Sequence, residues 1–85
     1  MSYAIFYSRA AAKAFRGIHP QDRTRIKEAI EDLADDPRPS GCLQLTGGDG
    51  EYRIRVGEYR IVYDVIDAKI EILVLRIAHR REGYR

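Results

Sequence analysis

Arg53, Arg55 and Arg60 alternate along two apolar runs, and the last residues gather His79, Arg80, Arg81, Tyr84 and Arg85 within a short tail. A guanidinium is planar, permanently charged and forked, and it suits phosphate oxygens. Aromatics interleaved with arginines suit single-stranded RNA, because bases stack on rings and guanidinium planes while the phosphates take the charge. His79 is the one member of the set whose unperturbed pKa, about 6.5, suits a general acid or base. The same residues also fit a solvated, salt-bridged surface that ends in a frayed polar terminus. A lone histidine beside a strand end is more often structural than catalytic.

The rest of the inventory removes other chemistries. Cys42 is the only cysteine, so there is no internal disulfide and no thiol cluster for zinc, and it reads as a core residue. His19 and His79 lack the spacing of a zinc pair, Gly47-Gly48-Asp49-Gly50 lacks the Lys-Ser/Thr of a P-loop, and no Ser-His-Asp order with a nucleophile elbow is present. Neither a metal nor a cofactor is expected. His19, just before Pro20, reads as a capping or surface residue.

A chain of 85 residues supports one core, so a single domain over residues 1–85 without a deep cleft is expected. The net charge of +2, from 15 basic and 13 acidic residues, is too small to declare a nucleic-acid binder by itself. From Tyr52 onward, however, eight cations face five anions, and seven of those cations are arginine. No run approaches the ~18 apolar residues of a membrane span, and Met1-Ser2-Tyr3 enters a strand-like pattern rather than a basic head with an apolar stretch. A reducing cytoplasm fits, with no membrane partner.

The elements that must position these residues follow from periodicity. Ser2 to Tyr7 reads as a first strand, Ser8 as an N-cap, Arg9 to Arg16 as a short helix, and Gly17-Ile18 as a C′ glycine with its hydrophobic follower. Pro20 opens a second helix whose apolar face is Ile26, Ala29, Ile30, Leu33 and Ala34. Asp35-Asp36-Pro37 ends it, although two acids there oppose the macrodipole for no local reason. The two helices form an antiparallel αα-hairpin. Residues 37–41 read as a loop, Cys42 to Leu45 as a short strand, and Thr46 to Gly50 as a turn cluster. Glu51 to Val56, Tyr59 to Ile66 and Ile70 to Ala78 then alternate with period 2. Their connections, Gly57-Glu58 and Asp67-Ala68, are short enough to force antiparallel hairpins.

With Gly57-Glu58 as the two loop residues, Val56 pairs with Tyr59, Arg55 with Arg60, Ile54 with Ile61 and Arg53 with Val62. One face then holds Tyr52, Ile54, Val56, Tyr59, Ile61 and Tyr63 and must meet the helices, leaving Arg53, Arg55 and Arg60 on the other. Two arginines directly opposite repel, at a cost of a few tenths to ~1 kcal/mol, unless an anion lies between them. Asp64 and Glu71 on the same side are the internal candidates for neutralising them.

Several blocks carry a resemblance. They are the helix start Ser8-Arg9-Ala10-Ala11 with Ala14-Phe15, the exit Asp35-Asp36-Pro37-Arg38-Pro39, and Leu43-x-Leu45-x-Gly47. Tyr52-Arg53-Ile54-Arg55-Val56-Gly57, Tyr59-Arg60-Ile61-Val62-Tyr63 and the ending His79-Arg80-Arg81-Glu82-x-Tyr84 follow. In this order, over essentially the whole chain, they resemble the RelE branch of the RelE/ParE toxin superfamily. The resemblance implies an α+β fold, with an N-terminal strand and an αα-hairpin packed on a twisted antiparallel sheet, RelE/ParE-like and microbial-RNase-like. It implies a type II toxin that cuts mRNA in the ribosomal A site without metal, by attack of the RNA 2′-OH on its own phosphate. The expected partner is a cognate antitoxin, acidic at its toxin-binding segment, with oligomers formed only through it. Family catalytic positions fall on Arg53, Arg55, Arg60, Arg80 and Tyr84, with His79 and Arg81 as RNA contacts. Well-known RelE members carry lysine where this chain has Arg53 and Arg55, and their tail is slightly longer. Arginine hardly gives up a proton, so charge rather than proton transfer is expected of these positions. The ParE relatives, which use the same fold against DNA gyrase without the catalytic set, are the alternative.

Overall fold

A computed structural model describes residues 2–45 and 50–79. The elements run β1 (Ala4–Tyr7), α1 (Arg9–Arg16), α2 (Pro20–Asp32), β2 (Leu43–Gln44), β3 (Glu51–Val56), β4 (Tyr59–Ile66) and β5 (Glu71–His79), with a 3₁₀ turn over Asp67–Lys69. Both helices pack on one face of a five-stranded sheet in the order β1-β5-β4-β3-β2. Four strands are antiparallel neighbours, whereas β1 lies parallel to β5. The sheet is therefore mixed rather than wholly antiparallel. The αα-hairpin and all the other strands separate β1 from β5 in sequence, so no tight turn dictates their relative direction.

The core follows the alternation. Ile26, Ile30 and Leu33 of the second helix region are fully buried against Ile54, Ile61, Tyr63, Ile72 and Val74 of the sheet. Tyr63 keeps its hydroxyl satisfied by donating to the Pro37 carbonyl at 2.7 Å, and burial pushes its phenol well above the usual range. Cys42 is half-buried and packs against this core. His19 is the N-cap of α2, its Nδ1 accepting from the Gln21 amide at 3.2 Å.

Element ends depart from expectation in ways that local hydrogen bonds explain. The first strand begins only at Ala4, because the Tyr3 amide donates to Ala34 O at 2.8 Å. Helix α2 stops at Asp32, and Leu33 and Ala34 close it with i→i−3 bonds to Ile30 and Glu31. Of the two acids beyond it, Asp35 gains a local reason, since it accepts from the Ser2 hydroxyl at 2.8 Å. The strand expected from Cys42 to Leu45 keeps only Leu43 and Gln44. Ile70 is not the first residue of β5. It takes φ 55°, a left-handed conformation rare for a β-branched residue, and caps the 3₁₀ turn.

Gly17 also differs from a left-handed C′ glycine. Its φ is −87°, and its amide returns to Ala14 O at 3.1 Å, since the chain must turn into α2 within three residues. A Cβ there would meet nothing closer than 3.6 Å. Gly57, by contrast, has φ 59°, the sign a type II′ hairpin requires of its first central residue. We expect Gly17→Ala to stabilise by about 0.5 kcal/mol through the unfolded chain and Gly57→Ala to destabilise by about 1 kcal/mol or more. Urea denaturation of the two variants checks the opposite signs.

One polar cluster ties four segments together. Arg38 donates through Nη2 to Asp67 Oδ2 at 2.8 Å and through Nε to the Tyr52 hydroxyl at 2.9 Å, while Tyr3 donates to Asp67 Oδ1 at 2.7 Å. These donors hold the Asp67 carboxyl below its ordinary pKa. A depressed folded-state pKa contributes stability that is present above the unfolded value, about 3.9, and is lost as pH falls through the folded value. The stability advantage of the parent over Asp67→Asn should therefore be present near neutrality and shrink as pH falls below about 4. Denaturation midpoints measured from pH 7 to pH 2 check this, and a difference that ignores pH would contradict it.

Candidate nucleic-acid interface

The register places the arginines where the hairpin arithmetic puts them. Arg55 pairs with Arg60 and Arg53 with Val62, and Ile54, Ile61 and Tyr63 on the alternate positions are buried under the helices. Arg55 is exposed, and Arg53 and Arg60 are half-buried on the opposite side of the sheet. Asp64 and Glu71 do not stand beside the Arg55–Arg60 pair in the register. Asp64 sits four residues along β4 from Arg60, about 13 Å at ~3.3 Å per residue, and Glu71 lies farther, opposite Ile66. The solvent face is thus polarised along the strands. Carboxylates pair at one end, Glu51 with Asp64, and arginines pair at the end of the Gly57 turn.

Strand β5 brings a residue the sequence reading left out. Between Val62 and Tyr63 of β4 the pairing with β5 slips by one residue: Tyr63 opposes Val74, Val62 opposes Arg76, and Leu75 is the extra residue of a β-bulge. Strict alternation from the buried Ile72 and Val74 would aim Arg76 into the core and His79 toward the arginines. The bulge reverses both. Arg76 joins the arginine face and is exposed, Ile77 takes the core position, and His79 stands opposite Tyr59 on the other face. There the His79 ring meets the Tyr59 ring edge-on at 5.2 Å. His79 therefore does not share the face of Arg53, Arg55 and Arg60. The signal for Arg76 was in the sequence, since Val74 and Ile77 are an odd number of residues apart and a charge stands between them.

The bulge is held by one side chain. Ser8 caps α1 by accepting from the Ala11 amide at 3.0 Å, and its hydroxyl donates to Leu75 O at 2.8 Å. Its own amide donates to Val74 O at 2.8 Å.

Leu45, Arg53, Arg60, Val62, Arg76 and Ala78 line a recess of about 150 Å³ on the arginine face. Its floor is apolar and its walls are guanidinium. It is too small to enclose a nucleotide, given that ligand pockets usually span ~300–1,000 Å³, but it is the right scale for a phosphate with part of its hydration. A larger groove of about 710 Å³ runs between α2 and β3, its lining balanced between Asp32 and Asp36 on one side and Arg53 and Arg55 on the other. No group of three His, Cys, Asp or Glu side chains is placed to hold a metal among the described residues. Arg80, Arg81 and Tyr84, and the turn cluster from Thr46 to Asp49, lie outside the described residues. No helix among those described is long and apolar enough to cross a membrane.

Residues 5–84 match the family described as the ParE toxin of the type II toxin–antitoxin system parDE. A candidate RelE1 toxin of Methanocaldococcus jannaschii is 31% identical to this chain, covering 98% of it and 94% of the relative. The mRNA interferase toxin RelE of Escherichia coli is 28% identical, covering 98% and 88%. The archaeal RelE–RelB complex from Pyrococcus horikoshii OT3 holds a chain that superposes with a TM-score of 0.83 at 26% identity, covering 94% and 97%.

Losing the Ser8 hydroxyl should leave both the first turn of α1 and the Leu75 carbonyl short of a partner. We expect Ser8→Ala to destabilise by about 2 kcal/mol, the worth of an N-cap plus one unsatisfied acceptor. Amide exchange should accelerate in β5 around Leu75 more than in the β3–β4 hairpin. Loss spread evenly over the sheet would argue against the pinning role.

Proposed function

The chain belongs to the RelE/ParE superfamily of type II toxins, and from that membership we propose that it is a ribosome-dependent mRNA endoribonuclease of the RelE kind, silenced by a cognate antitoxin. The observation that carries the reading is the cross-strand apposition of Arg55 and Arg60 on the solvent face. A sheet built only for stability avoids placing two like charges directly opposite, and a bound phosphate turns that cost into an attraction. The E. coli relative named as an mRNA interferase supports the same chemistry, and the solved RelE–RelB complexes support an antitoxin partner.

In the proposed reaction the 2′-OH of the RNA attacks the adjacent 3′-phosphate, the 5′-oxygen leaves, and a 2′,3′-cyclic phosphate remains. Such chemistry needs no covalent enzyme intermediate. The phosphorane carries more negative charge than the ground state, and preorganised guanidiniums from Arg53, Arg55 and Arg60 would stabilise it. One key donor of this kind is worth ~3–4 kcal/mol. Arg80 would add charge and Tyr84 a stacking ring from the tail, with Arg81 on the backbone. A small face with no deep pocket cannot orient an mRNA strand unaided, so the ribosome would provide the positioning.

Proton transfer is then the open role for His79. Because its ring lies against Tyr59 on the other side of the sheet from the arginines, we assign it no proton in the reaction. His79→Gln should leave the single-turnover rate and its pH profile unchanged. Arg60→Ala should lower the rate about 100-fold or more while melting with the parent. The deciding experiment is translation in a cell-free extract with mapping of mRNA 5′ ends, with and without the protein. Cleavage inside codons at the A site is expected. Intact mRNA together with inhibited gyrase supercoiling would replace this reading with a ParE-like one, and a break in the pH profile that vanishes in His79→Gln would restore the histidine.

A further inference from the structure

Arg76 reaches the arginine face only because β5 is bulged, and β-bulges commonly re-aim a side chain at a functional surface. Its neighbours are specific. Val62 lies between Arg76 on β5 and Arg53 on β3 in one cross-strand row, and Arg60 stands two residues from Val62 on the same strand. At ~4.8 Å between strands and ~3.3 Å per residue, the Cα atoms of Arg53 and Arg76 flank that of Val62 at about 5 Å each, and those of Arg60 and Asp64 lie about 7 Å away in opposite directions along β4, Arg60 lining the recess and Asp64 outside its lining. Three long guanidinium arms on that spacing can close over one point above Val62. Ala78, opposite Arg60, is small enough to leave that point open from the β5 side. Among the described residues Arg76 makes no hydrogen bond and no ion pair, so no observed contact explains an arginine at this position.

We propose that Arg76 is a further substrate-binding residue, the third wall of a recess in which Arg53, Arg60 and Arg76 from three adjacent strands grip one RNA phosphodiester over the apolar floor of Val62, Leu45 and Ala78. The inference rests on the ribonuclease reading for its substrate class, but the recess itself is a property of the sheet. The apolar floor excludes water from beneath the phosphate and strengthens each guanidinium contact. A forked arginine meets two phosphate oxygens at once, whereas a lysine supplies the same charge without the fork.

Two measurements on the full chain test it. In the first, a trinucleotide with 2′-O-methyl riboses, which cannot cleave itself, is titrated at several salt concentrations into the parent, Arg76→Ala, Arg76→Lys and Arg76→Glu. Arg76→Ala should weaken binding about tenfold and lower the salt slope by roughly 0.7, the share of one phosphate on a single strand. Arg76→Lys should keep most of the slope with part of the affinity, and Arg76→Glu should abolish binding. In the second, ribosomal cleavage by Arg76→Ala should show a raised KM with kcat little changed, as for a contact made equally in ground and transition states. All variants should melt with the parent, because Arg76 is exposed.

Equal affinity and equal salt slope for the parent and Arg76→Ala would overturn the inference, even with cleavage intact. So would a parent that binds no oligonucleotide at millimolar concentration. Trinucleotide binding that depends on Arg76, in a protein that leaves mRNA whole on the ribosome, would keep the recess and remove the ribonuclease reading. A loss of kcat alone, not rescued by Arg76→Lys, would reassign Arg76 from binding to transition-state stabilisation and overturn the proposal as stated.

Discussion

Ser8 donates its hydroxyl to the carbonyl of Leu75, and the disposition of charge in this fold depends on that hydrogen bond. The serine is shared by two elements. It closes the first turn of α1 and, at the end of the parallel β1–β5 pairing, holds the one residue of β5 that has no partner on β4. A bulge costs ladder hydrogen bonds, so it persists only where something else satisfies the displaced backbone. Here the compensation comes from the cap of a helix that would need a serine anyway. Fixing the bulge sets the parity of everything beyond it, with Ile77 under the helices, Arg76 in solvent and His79 against Tyr59.

Much of this was legible in the amino-acid sequence because short connections leave little freedom. Gly57-Glu58 is a two-residue loop, and every pair across β3 and β4 follows from it by counting. The same arithmetic works less well where a long path intervenes. Nothing local tells β1 to lie parallel to β5, and nothing in the alternation of residues 70–78 names Leu75 as the extra residue. The periodicity failed there for a physical reason. A strand is read by assuming a period of 2, and a single insertion shifts the phase of all later side chains. The residues that strict alternation would misplace, Arg76, Ile77 and His79, are the ones downstream of the insertion, whereas those upstream, from Ile72 to Val74, fall where alternation puts them. Gly17 shows a similar limit, since its helix-ending role was readable and its dihedral angles were not.

The two ends of the sheet use charge differently. Near the 3₁₀ turn, Arg38 is committed to Asp67 and Tyr52, and Tyr3 completes the shell around the same carboxylate. That arginine is spent on tying β1, the loop after α2, β3 and the β4–β5 turn into one piece. Toward the Gly57 turn the pattern reverses, with arginines from adjacent strands placed beside one another and the strand-borne carboxylates kept at the far end. Placing the structural ion pair away from the arginine face leaves the guanidiniums there without asking the core to bury a charge.

An arginine face also constrains what kind of catalyst the fold can be. Arginine side chains carry a fixed, delocalised positive charge, so Arg53, Arg55, Arg60 and Arg76 are suited to stabilising charge rather than to relaying protons. The imidazole at the end of β5, the described residue best suited to relay one, is turned to the opposite face by the bulge that delivers Arg76. The same backbone irregularity therefore exchanges a titratable group for a fixed charge at the recess. In the ribonuclease reading proposed above, a surface of that composition would favour the transition state through electrostatics and leave proton movement to groups it does not itself carry there. That is a workable division only for a substrate presented in an already ordered environment, where waters and polar groups stand close to the reacting oxygens. The shallow 150 Å³ recess leads to the same conclusion from shape alone, because it can hold a phosphate but cannot align a nucleophile with a leaving group.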